Sequence, residues 1–174
     1  MEHHALNCAQ RLDQKLDAEA RAIVLPSFKE VLASIRVYLL KQNSEVDQVN
    51  NIYQLLKEKK SGPVGLIALG PEFDAGPTDF HYRLRSGSRL SFGITLHESN
   101  SRCSLVAYRF HLHIGGNKGP TFFRFDLNRS AHVHPLVEPR SHMHPGQDNV
   151  RLPSPALEPL EVLDRIFHVI ATAE

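Results

Sequence analysis

The residues best suited to chemistry lie close together, in a stretch from Phe122 to Pro155 that holds four of the chain's eleven histidines: His132, His134, His142 and His144. Carboxylates stand among them at Asp126, Glu138 and Asp148, and arginines at Arg124, Arg129, Arg140 and Arg151. In an extended chain the side chains alternate faces, so each His-X-His pair can present two imidazoles to one site. An imidazole titrates near neutrality and can move a proton or ligate a metal. It can also simply hold a loop together. Three readings therefore compete.

The first is acid–base work on RNA. Cleaving a phosphodiester through its own 2′-hydroxyl needs a base, an acid for the leaving oxygen, and cations against the phosphate oxygens. His142 and His144 with Arg124 are the preferred set, with His132 and His134 as further candidates. Asp126 is placed to orient an imidazole. Arg151 and Arg140 are candidates to hold phosphate, and so are Arg109 and Arg83 from the strands upstream. Such a site needs no cofactor. The second reading is a divalent metal such as zinc, for which His132, His134 and Glu138 supply ligands of the right kind. The spacing His132-Val-His134 with Glu138 is similar to the first half of a cupin motif, but no second half-motif follows. In the third reading the histidines donate to local carbonyls and Asp148-Asn149 closes a turn.

These residues need a scaffold. Pro135, Pro139, Pro145, Pro153 and Pro155 each lack a backbone donor, so the segment reads as a stiff loop and not as a helix or a central strand. Before it the apolar period is two. Phe80 to Arg85, Arg89 to His97, Arg102 to Ile114 and Pro120 to Leu127 read as four strands, joined by connections too short for parallel crossovers. Val64 to Leu69 reads as a fifth short strand or a buried turn. Arg109, His111 and His113 share one face of this meander, as do His81, Arg83 and Arg85. The chain closes with a helix from Leu157 to Ala173, whose Leu160, Leu163, Phe167 and Ile170 form one stripe.

At the other end, residues 1–60 read as helical. Ser27-Phe-Lys-Glu30 is a capping-box signature opening a helix from Ser27 to Lys41 with Phe28, Leu32, Ile35 and Leu39 on its inner face. A helix from Leu6 to Leu25, closed by Pro26, precedes it. A third, opening at Ser44-Glu-Val-Asp47, carries an apolar stripe of Val46, Val49, Ile52, Tyr53 and Leu56. Ser61-Gly62-Pro63 then separates this segment from residues 61–174, within what reads as one compact domain overall. Helices, then an antiparallel sheet of four to five strands, then a histidine-rich loop and a terminal helix make an α+β fold.

The C-terminal half resembles the toxin component of bacterial TumE-type toxin–antitoxin systems and related small bacterial proteins. The resemblance rests on Arg124-Phe125-Asp126, on His142-Met143-His144 with Gly146, on Arg151-Leu152-Pro153-Ser154-Pro155, and on the helix from Leu160 to Phe167. It implies a small α+β protein acting in the cytoplasm on RNA or another nucleotide substrate, with a cognate antitoxin as partner. The N-terminal helices are the segment left to dock such a partner. The alternative is a module that binds nucleic acid or protein through its arginines, without catalysis.

Composition agrees with part of this and excludes other classes. The chain has 174 residues, 41% of them apolar, and a net charge of +1. That is enough to bury a core, and no apolar run reaches the length of a membrane span. Cys8 and Cys103 are too few for a disulfide framework or a cysteine-ligated zinc, and read as reduced thiols. The charge is uneven: His81 to Arg151 carries ten basic residues against four acidic ones, nearly all arginine. Arginine's planar fork suits phosphate.

Overall fold

In a computed structural model of the chain, residues 2–42, 51–70, 82–115, 121–130 and 139–173 are described. His81, His132, His134, Glu138 and the start of the expected third helix, including Val46 and Val49, lie outside the described residues. The architecture is α+β: among the described residues there are four helices, α1 (Glu2–Ala22), α2 (Phe28–Leu40), α3 (Ile52–Leu55) and α4 (Pro159–Ala173), and one antiparallel sheet of nine strands. Among the described residues no helix is long and apolar enough to cross a membrane.

The capping box opens α2 as expected. Glu30 N–H donates to Ser27 Oγ, and Ser27 N–H donates back to the Glu30 carboxylate at 3.0 Å, so two orphan helix donors are satisfied. Helix α2 buries Phe28, Val31, Leu32, Ile35 and Leu39. Two other N-terminal expectations are corrected. The first helix ends at Ala22, and Val24–Leu25 forms a short strand β1 paired with Ser104 and Cys103. Leu25 is buried there, and Pro26 already bars helix continuation. The third helix stops at Leu55, where Leu56–Ser61 becomes strand β2, paired to β3 (Val64–Leu69) across Ser61↔Val64. The Ser61-Gly62-Pro63 break is thus a hairpin turn with Gly62 at φ 57°, which glycine adopts without strain. β2 lies at the edge of the sheet, where its exposed Lys57, Glu58, Lys59 and Lys60 guard against pairing with other chains.

The meander is the centre of the sheet. The order is β2-β3-β5-β6-β7-β8-β9, with β4 (Tyr82–Arg83) beside β5 (Arg89–Ser99), and β6 (Arg102–His113) followed by β7 (Phe122–Leu127). The largest correction falls on the histidine segment. Ser141–Pro145 is not loop but strand β8, hydrogen-bonded on both sides, to β7 and to β9 (Leu152–Pro153). The prolines permit this because of where they fall. Pro145 ends β8, Pro153 lies on the edge strand, and Pro139 precedes the ladder, so His142 and His144 keep their backbone donors.

One sheet face is apolar. Leu90, Phe92 and Ile94 of β5, Tyr108, Phe110 and Leu112 of β6, and Phe125 and Leu127 of β7 are buried against α2 and against Val162, Leu163 and Ile166 of α4. Near one side of it, Gly65 of β3 faces the buried ring of Phe28, and a Cβ at Gly65 would overlap that ring. Gly65→Ala is therefore expected to lower stability by about 1–3 kcal/mol through overpacking. A urea midpoint that does not move would show that β3 and α2 are not packed this closely.

Candidate functional site

Strand alternation sends one set of side chains from β6, β7 and β8 into the core and the other set to the opposite face. Phe122, Arg124 and Asp126 of β7 share that second face. Register then fixes their neighbours. Asp126 lies between Arg109 of β6 and His142 of β8, and Arg124 lies between His111 and His144. Two dipeptide spacings, Arg124-X-Asp126 and His142-X-His144, become one four-residue cluster because β7 and β8 run antiparallel in this register.

The cluster is buried. Asp126 is 3% exposed, and His142 and His144 are 0% exposed. An isolated carboxylate at that depth would be costly, and here both its oxygens are satisfied by guanidinium groups. Arg109 Nε donates to Oδ1 at 3.1 Å, and Arg124 Nε donates to Oδ2 at 2.8 Å. Arg124 has two further partners: Nη2 donates to His144 Nε2 at 2.8 Å, and Nη1 donates to Asp148 Oδ1 at 2.6 Å. Arg124 is thus the hub that ties the carboxylate, one imidazole and an exposed acid together.

Donor and acceptor roles assign the protons. A guanidinium can only donate, so His144 Nε2 must accept, and its ring proton sits on Nδ1. Burial first, and then the adjacent Arg124 charge, hold the His144 pKa below the ordinary histidine range; Asp126 opposes them in part. His142 is held differently. Its Nδ1 meets the Pro139 carbonyl at 2.8 Å, and a carbonyl only accepts, so that nitrogen carries hydrogen. His142 Nε2 then faces Asp126 Oδ2 at 3.6 Å. His144 Nε2 lies 3.4 Å from the same oxygen, so both rings turn this nitrogen toward the carboxylate. The rings lie 5.0 Å apart. The same two-residue motif thus holds one ring by a guanidinium at Nε2 and the other by a backbone carbonyl at Nδ1.

The sign of the His144 shift has a consequence for stability. A histidine whose folded pKa is depressed takes up its proton more readily when unfolded. Stability from keeping the ring neutral is intact above the unfolded value, about 6.5, and is lost as pH falls through it toward the lower folded value. His144→Gln is expected to flatten that part of the curve of unfolding free energy against pH. An unchanged slope between about pH 6.5 and 5 would show that His144 is not held neutral by this environment.

Asp126, His142 and His144 are a group whose ligand atoms lie within 4.8 Å of one another, so a metal ion has to be considered. His144 Nε2 and Asp126 Oδ2 are 3.4 Å apart. The Arg124 guanidinium, however, lies at 2.8 Å from each of those two atoms and is itself a cation. A divalent ion would have to expel it. As arranged, two of the three donor atoms are taken by a guanidinium.

The other expected site residues are dispersed. Arg140 was expected at phosphate, but its side chain is buried elsewhere. Its Nε donates to Asp17 Oδ1 at 3.1 Å, its Nη2 to the Val106 carbonyl at 3.1 Å, and its backbone N–H to Asp13 at 2.8 Å. It straps α1 to the sheet. Arg151 is exposed and lies one residue beyond the β8–β9 ladder, at the position that continues it opposite His144. Arg83 of β4 pairs with Arg89 at the far side of the same face. Asp148, read from sequence as a turn residue, turns out to hold Arg124. The bond from His142 Nδ1 to the Pro139 carbonyl, three residues back, is the local contact that the structural reading of the histidines expects. No family model, curated protein or solved structure matches this chain.

Proposed function

We propose that the chain is a toxin-like ribonuclease, or a closely related nucleotide-processing enzyme, that works without a metal. The observation that supports this most is the difference in what holds the two histidines: His144 Nε2 accepts from the Arg124 guanidinium, while His142 is held at Nδ1 by the Pro139 carbonyl and leaves its Nε2 toward Asp126. Pairs of titratable groups driven apart by their surroundings are how one site supplies both an acid and a base.

The steps follow from those positions. An incoming phosphate competes for the Arg124 guanidinium, which turns from His144 Nε2 to a phosphate oxygen, with Arg109 and Arg151 close enough on the same face to share the charge. His144 Nε2, freed, takes the proton of the 2′-hydroxyl. The 2′-oxygen attacks phosphorus as the bond to the 5′-oxygen breaks, and His142 Nε2–H protonates the departing oxygen. Asp126 Oδ2 faces that nitrogen at 3.6 Å. Arg124 has 18% of its side chain exposed and the two rings none, so substrate reaches the rings only if the cluster opens.

The test is direct. Mixed-sequence single-stranded RNA incubated with the full chain should yield 2′,3′-cyclic phosphate ends, at a rate unaffected by EDTA. Intact RNA would end this reading, and activity lost to the chelator would transfer it to a metal bound by Asp126, His142 and His144.

A further inference from the structure

Next to the cluster, on the same sheet face, three rings touch. His111 and His113 lie with centroids 4.1 Å apart, and Phe122 lies 5.1 Å from His111 and 6.3 Å from His113. Register accounts for the group, since His113 pairs directly with Phe122, and His111 pairs with Arg124. All three are half-buried, so part of each ring is open. A phenylalanine with two imidazoles on the outward face of a sheet contributes nothing to the core on the other side.

The charges around the rings are positive. Arg89 of β5 is exposed and pairs with His113, and Arg109 of β6 keeps 53% of its side chain exposed. Among the described residues of β5 to β8 on this face, Asp126 is the acid, and both its oxygens are already held by arginines. Flat rings bordered by guanidinium groups are the chemistry that binds single-stranded nucleic acid: bases stack on the rings while arginines hold the backbone. A duplex would not fit, because its bases are stacked on each other.

We infer that Phe122, His111 and His113 form a stacking platform for unpaired bases of single-stranded RNA, one strand spacing from the Arg124–His144 site. This deepens the proposed function and rests on it for the identity of the strand as RNA. A base on the platform fixes the chain of phosphates relative to Arg124, since His111 and Arg124 are direct cross-strand neighbours, about 4.8 Å apart by strand spacing. The platform is thus a positioning device. It sets which phosphodiester meets the histidines.

The experiment uses a fluorescent 2′-O-methyl RNA of 12 nucleotides, which cannot be cleaved through its own 2′-oxygen, with binding read by anisotropy. Phe122→Ala should weaken binding about tenfold and Phe122→Tyr should not, because one base–aromatic stack contributes about 1–3 kcal/mol. Arg89→Gln should weaken binding and reduce the slope of log K against log salt by about 0.7. Equal affinity for a duplex of the same length, or affinity indifferent to Phe122→Ala, would overturn the platform. The two readings fail separately. Binding that depends on Phe122, with no cleavage of unmodified RNA by the wild type, keeps the platform and removes the ribonuclease. Cleavage with binding that ignores Phe122 does the reverse.

Discussion

Asp126→Asn is expected to cost about 3–5 kcal/mol, more than removal of either histidine, and to lower the melting temperature by roughly 10 °C. The carboxylate is the one negative charge at the centre of the cluster, facing two guanidinium groups and two imidazoles. An amide has a single oxygen, so it cannot accept from Arg109 and Arg124 together, and its NH₂ meets a donor on one side. Most of the loss comes from Arg124, which is mostly buried and keeps only the outlying Asp148 as a carboxylate partner. Arg109 is half exposed and solvent compensates it. The matching experiment is the double variant Asp126→Asn with Arg124→Met, which removes the stranded cation. It should recover part of the melting temperature, because deleting both members of a buried pair costs less than deleting one. Thermal unfolding of the wild type, the single variants Asp126→Asn and Arg124→Met, and the double variant checks this. If the single variant melts like the wild type, the cluster is not a buried ion network.

The second large effect concerns rate. His144→Gln should reduce cleavage of single-stranded RNA by about 10²–10⁴-fold while leaving affinity for uncleavable RNA within a few-fold. Glutamine is close to histidine in length and still accepts from Arg124, so folding should survive the change, but it cannot take the 2′-hydroxyl proton. His142→Gln should show a loss of similar size. Its glutamine cannot carry the proton that the leaving oxygen needs. Single-turnover rates with an end-labelled oligonucleotide measure both. Variants that cleave as fast as the wild type would leave the histidines a structural role, and variants that lose binding and rate in proportion would make them ligands and not catalysts.

Much of the scaffold was legible from local pattern. The Ser27 capping box is a contact between residues three apart, and the alternation in Arg89 to Ser99 and Arg102 to His113 reflects one buried face along each strand. Both kinds of signal are complete within a few residues. The helix ending at Leu55 was misread for the complementary reason. Residues 56–61 carry no strand pattern, with charges at Lys57, Glu58, Lys59 and Lys60 in a row, and take that conformation because β3 offers them a ladder after the Gly62 turn. The histidine strand was misread because its prolines argue for a loop, and only their positions at strand ends and on the edge strand make β8 compatible with them.

The candidate site divides the same way. By itself the sequence determined which groups are present, that Arg124 and Asp126 share a face, and that His142 and His144 share a face, because alternation in an extended chain is a local property. Tertiary structure decided that the two faces are one, that Arg140 serves α1 and not the cluster, and that Arg109, Arg124 and Asp126 join with the histidines. The reason is register. Shifting β8 by one residue against β7 would turn both imidazoles into the apolar core, and nothing within either strand records that alignment. It is set by the packing of the whole sheet, which no short stretch of sequence contains.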